Sequence, residues 1–107
     1  MPRDMHDDVK LSHSAALILR AIVCGYRYGF DVMEVTGLPS GTVYPALRRL
    51  ERDSLITARW EDESVAFAEQ RPARRYYRVT RGGKQALTRL LERYPLLEKV
   101  TPAQEAK

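Results

Sequence analysis

Apolar positions along this chain follow two periods, and the places where the period changes divide it into elements. From Ala15 to Val23 the residues are apolar almost all round, interrupted only by Arg20. A helix with so little polar face is buried on more than one side. Ser12 or Ser14 is placed to cap its start. Gly25-Tyr26-Arg27-Tyr28-Gly29 breaks the pattern, its two tyrosines suited to close the end of a core. Phe30, Val32, Met33 and Val35 then give an apolar side to a short helix over about Gly29 to Thr36. A tight corner follows at Gly37-Leu38-Pro39-Ser40. Gly37 tolerates the positive φ that ends a helix, Pro39 cannot continue it, and Ser40 or Thr42 can cap the next one. In that third helix Val43, Leu47 and Leu50 recur at i, i+4 and i+7, leaving Thr42, Tyr44, Arg48, Arg49 and Arg52 off the stripe. Pro45 removes one backbone donor near its start, and the helix is expected to stop near Asp53 or Ser54.

Beyond Leu55 the period shortens to two. Leu55 to Glu61 is β-prone around Ile56 and Trp60, and Arg75 to Val79 alternates, with Tyr77 and Val79 on one face and Tyr76 and Arg78 on the other. The intervening DESVAFAEQRPARR is expected to be a long basic loop, and the alternation of Val65 and Phe67 extends the strands into it. Thr80 is placed to cap a last helix whose stripe is Ala86, Leu87, Leu90, Leu91 and Tyr94; Gly82 and Gly83 weaken its first turn and leave room for another backbone. Pro95 breaks the pattern. The expected fold is mainly α with a small β-hairpin: a flexible N-terminal arm (1–10), a winged helix-turn-helix (11–79), a C-terminal dimerisation helix (80–100) and a tail (101–107).

A chain of 107 residues allows one domain with a modest core, and dimerisation is a common route to further stability at that size. The net charge of +4 is unevenly spread. Between Gln70 and Leu91 there is no acid, while Arg71, Arg74, Arg75, Arg78, Arg81, Lys84 and Arg89 fall in that window. Such a block favours phosphate partners. The acidic trio Glu61-Asp62-Glu63 opposes it at the base of the wing. Cys24 is the only cysteine, so no intrachain disulfide forms, and its place in an apolar helix fits a small buried hydrophobe. The polar opening MPRDMHDDVK lacks a signal-peptide core, and the stretch around Ala15 is too short to span a bilayer, so a cytoplasmic location is expected. The arm's Asp4, His6, Asp7 and Asp8 read as solvated residues, not as a metal site. His6 and His13 face no fixed nucleophile, and no phosphate loop, zinc set or nucleotide fingerprint occurs, so neither catalysis nor a cofactor is expected.

These features point to DNA. Tyr44, Arg71, Arg74 and Arg75 are candidates for phosphate contact, and Thr42, Arg48 and Arg49, with Ser40 at the helix start, for the base-reading end. The rival reading is a winged-helix module that binds protein or RNA. Leu17 and Ile18 of the first helix and Leu87, Leu90, Leu91 and Tyr94 of the last are the candidate dimer contacts.

The wording GTVYPALRRLERDSLI followed by RPARRYYRVTRGGKQAL resembles the PadR family of bacterial transcription regulators. The resemblance spans about Leu11 to Leu91. It rests on Gly41-Thr42-Val43-Tyr44-Pro45, on Leu47-Arg48-Arg49-Leu50-Glu51, on the Arg-rich wing ending in Tyr77, and on Thr80 followed by Gly83. It implies a homodimeric winged-helix repressor of a near-palindromic operator, with the recognition helix in the major groove and Tyr44 on phosphate. Three departures stand out: a short segment between Tyr28 and Ser40, serine at position 54 where such proteins usually have glycine, and a short last helix broken by Pro95. Because Trp60 lies at the wing, the mode in which relatives hold planar drugs between C-terminal tryptophans does not carry over. No inducing small molecule is legible.

Overall fold

The first described helix, α1 (His13–Val23), begins where Ser12 accepts the Ala15 N–H at 3.0 Å. The structure is a computed structural model that describes residues 11–93. The arm and everything from Tyr94 onward, Pro95 and the tail included, lie outside the described residues. α1 touches α2 (Gly29–Thr36), α3 (Ser40–Arg52), the last helix α5 (Arg81–Arg93) and the strand β2 (Arg75–Val79). That placement explains its nearly continuous apolar circumference. Ala16, Ile18, Leu19 and Ala21 are fully buried, against Val32 of α2 and Val43, Leu47 and Leu50 of α3. The architecture is a helical core carrying a two-stranded antiparallel hairpin, β1 (Ile56–Trp60) with β2, paired Ile56 to Val79 at its base and Trp60 to Arg75 at its far end.

The corner between α2 and α3 forms as the residues dictate. Gly37 sits at φ +74° and donates to the Met33 carbonyl, and the Thr36 hydroxyl accepts the Leu38 N–H at 3.2 Å. The cap of α3 differs from expectation. Pro39, extended at φ −76° and ψ 162°, is the capping residue, and its carbonyl accepts from the Thr42 and Val43 N–H groups. Ser40 and Thr42 therefore lie inside the first turn and cap nothing. With α3 starting at Ser40, Pro45 is an interior residue, and the exposed Gly41 carbonyl loses its helical donor to the ring.

Phe30 also departs from the expected pattern: it is 60 % exposed because the first turn of α2 borders a cleft and not the core. The wing loop is neither irregular nor an extension of the strands. It folds into α4 (Glu63–Ala68), capped by Asp62, which accepts the Ser64 N–H at 2.9 Å, and pinned by the buried Ala66.

The last helix was expected to offer its apolar stripe to a second subunit. Leu87 and Leu90 instead join Ile18 inside the core of the single chain, while Leu17 of α1 and Ala86 and Leu91 of α5 are half-buried at its edge. The reason is the close approach of α5 to the hairpin. The Thr80 hydroxyl donates to the Ser54 carbonyl at 2.7 Å and accepts the Gly83 N–H at 3.0 Å, so the helix start is tied to the turn after α3.

Ser54 holds φ +63° in that turn, a left-handed conformation that a side chain disfavours by about 1–2 kcal/mol. Its side chain is exposed. Ser54→Gly should therefore raise stability by about 0.5–1 kcal/mol after the extra chain entropy of glycine. An unchanged or lower urea midpoint would show that the serine carries no strain.

Candidate nucleic-acid interface

Burying Val43, Leu47 and Leu50 fixes what α3 shows to solvent. Tyr44 is 39 % exposed, Ser40, Arg48, Arg49 and Arg52 are exposed, and Thr42 is half-buried. Arg52 lies 3.8 Å from Asp53, whereas Arg48 and Arg49 make no ion pair among the described residues. Two guanidinium groups thus project from this helix uncompensated. Tyr44 is aimed by a glycine. A Cβ at Gly29 would lie 2.5 Å from Cε1 and Oη of Tyr44, so the bare backbone is what lets the ring rest there.

The wing arginines are arranged differently. Arg71 makes a bidentate pair with Glu61, at 2.6 and 2.9 Å, and reaches Glu69 at 3.5 Å. Arg75 pairs with Glu51 of α3 at 3.0 Å and lies 5.3 Å from the centre of the Trp60 ring. Arg74 stacks 4.2 Å over Tyr28, and no carboxylate among the described residues meets its guanidinium. Of the three wing arginines expected to contact phosphate, two are already neutralised within the chain. The acidic trio supplies part of that order: Glu61 clamps Arg71, accepts the Arg74 N–H and the Tyr76 hydroxyl, and Asp62 caps α4.

Those bonds set the acid response of the wing. Hydrogen bonding from Arg71, reinforced by the Arg74 N–H and Tyr76 and opposed by burial, holds Glu61 down at about 2 from an ordinary 4.5, and the same bond pushes Arg71 up. With the folded value the lower one, ionised Glu61 favours the folded wing in full above about pH 4.5 and loses that contribution as pH falls through about 2. Glu61→Gln should melt below the wild type at pH 6, and the gap should close towards pH 2. A gap independent of pH would mean that the ion pair does not hold the wing.

Between α2, α3 and the wing lies a cleft of about 860 Å³. Phe30, Tyr44 and Trp60 line it together with Arg48 and Arg74. On the outer face of the hairpin, Arg27, Arg59 and Arg78 surround a groove of about 280 Å³. Neither the aromatic cleft nor the place of Arg59 beside that groove is among the sites expected from the sequence. The two-residue alternation running from Thr57 was the available signal for Arg59, because it sets that residue opposite the buried side of β1.

A helix-turn-helix, a hairpin wing and a bound-back last helix recur in known proteins at the level of sequence and of structure. The profile of the PadR-like family of transcriptional regulators matches residues 18–89. This chain belongs to that family. It is similar to a PadR family transcription regulator from Clostridium difficile, with 26 % identity and a TM-score of 0.68 over 83 % of this chain and 94 % of that one. A transcriptional regulator from Clostridium thermocellum shares the fold at 23 % identity and a TM-score of 0.64, over 85 % and 94 % of the two chains. An uncharacterised protein from Lysinibacillus sphaericus is 27 % identical over 104 residues, 90 % of this chain and 91 % of that protein. In this PadR-like regulator no helix among the described residues is long and apolar enough to cross a membrane.

Proposed function

We propose that this PadR-like regulator is a cytoplasmic, homodimeric repressor that binds a near-palindromic operator through α3. The observation that carries the reading is the outward face of α3, where Arg48 and Arg49 stand without ion-pair partners among the described residues beside the exposed Tyr44. Unpaired guanidinium groups on a helix that follows a tight turn suit a major groove, where arginine pairs with guanine or with phosphate. Tyr44, Arg48 and Arg74 anchor phosphates, while Thr42 and Arg49 reach base edges. Arg71 and Arg75 act indirectly, holding the wing in shape through Glu61 and Glu51. The half-buried Leu17 and Leu91 offer the dimer contact, with Ile18, Leu87 and Leu90 as the layer beneath and Tyr94 as a further candidate outside the described residues. Two-fold symmetry then sets half-sites about 10 bp apart, or a multiple of that. Selection of bound fragments from genomic DNA at physiological salt, followed by footprinting, tests this. A repeated, inverted footprint is expected; a single unrepeated half-site with a monomer on DNA overturns it.

A further inference from the structure

Of the large apolar side chains on the described surface, the most exposed belongs to the wing tip, and it stands next to a cleft of opposite charge. Phe67 of α4 is 85 % exposed and Val65 45 %. Exposed Asp62, Glu63 and Glu69 surround them, and no lysine or arginine occurs between Glu61 and Gln70. An apolar knob in an acidic collar is repelled by phosphate, so this tip is ill suited to enter a DNA groove.

The aromatic cleft has the complementary character. Phe30 and Trp60, 60 % and 61 % exposed, wall it. Among the described residues its Arg48 and Arg74 lack carboxylate partners, whereas Arg75 is met by Glu51. The tip cannot fill the cleft of its own chain, because the Asp62 cap, the buried Ala66 and the Arg71–Glu61 pair hold α4 on the wing. Yet tip and cleft are contiguous, since residues 71–75, which follow α4 in the chain, form part of the cleft wall. A patch that carries a knob beside its matching socket is what a two-fold contact requires, each copy giving and receiving the same group.

We propose that without DNA two copies of this chain exchange wing tips, Phe67 of each entering the aromatic cleft of the other with its acidic collar against Arg48 and Arg74. The contact covers Tyr44 and Arg48, so self-association at the cleft competes with DNA for the same side chains. Two short tips make a small interface, weak and reversible enough for DNA to displace.

Trp60 is the only tryptophan and lines the cleft, so its emission reports the exchange. In DNA-free wild-type protein, raised from roughly 1 to 100 µM, a range suited to a weak contact, the emission should move to shorter wavelength as a species of twice the homodimer's mass appears in sedimentation. Phe67→Ser, at a position too exposed to disturb the fold, should abolish both changes while leaving the melting curve unaltered. Arg48→Glu should weaken the exchange, and adding Glu63→Arg, at an exposed position of the collar with no ion pair among the described residues, should restore it. An emission change that persists in Phe67→Ser, or none in the wild type at the top concentration, overturns the proposal. These measurements contain no DNA and stand apart from the operator reading. With DNA present, Phe67→Ser should bind several-fold tighter than the wild type at high protein concentration. Equal binding there overturns the competition.

Discussion

Gly83→Ala should destabilise the protein by about 3 kcal/mol, while Gly82→Ala, one residue earlier, should leave it unchanged or slightly more stable. A Cβ on Gly83 would overlap the Leu55 carbonyl oxygen and lie 2.7 Å from Cγ2 of Val79. The carbonyl cannot yield, because it also accepts the Thr80 N–H at 3.0 Å and so closes the hairpin onto the helix. The helix would have to move instead, withdrawing Leu87 and Leu90 from Ile18. At Gly82 the nearest atoms are 3.7 and 3.9 Å away, ordinary contact distances. There alanine simply gains helix propensity, about 0.5–1 kcal/mol. Urea denaturation of the two variants decides it: equal midpoints would mean that the Gly83–Leu55 approach relaxes freely.

That approach was legible in the sequence as a possibility, because two glycines at a helix start are unfavourable unless something needs the space. The Gly37 corner, the bounds of α2 and β2 and the buried stripe of α3 were legible too. Each depends on local chemistry: a left-handed cap, a run of alternating residues, a repeat of three to four. What escaped depends on pairing at a distance. Ten residues separate Glu61 from Arg71 and twenty-four separate Glu51 from Arg75, so within a basic block that looks free in the sequence Arg71 and Arg75 are neutralised by the fold. α4 was missed because six residues carry too little periodicity to outweigh the alternation of Val65 and Phe67. The stripe of Leu87 and Leu90 is a correct reading of an amphipathic helix, but amphipathicity alone does not say whether the cover is a second subunit or α1.

Arg49→Ala should cost about 1–3 kcal/mol on the operator and much less on random DNA, whereas Arg48→Ala should weaken both alike and reduce the salt slope by about 1. The distinction comes from the helix. At about 100° per residue, Arg48 lies on the flank of α3 shared with Tyr44, and both line the cleft beside Arg74. Arg49 lies on the other flank, with Thr42, away from the wing. A cation grouped with a tyrosine and a second arginine is suited to the uniform charge of a backbone, where each phosphate contact releases counterions whatever the sequence. A guanidinium with no anionic partner among the described residues, beside a threonine, is suited to the acceptor pair on guanine, which only the right base offers. Titrating salt for both variants on both DNAs separates the roles. Equal losses for Arg49→Ala would make that residue a second anchor and leave base reading to Thr42, while an operator-only loss for Arg48→Ala would exchange the two assignments.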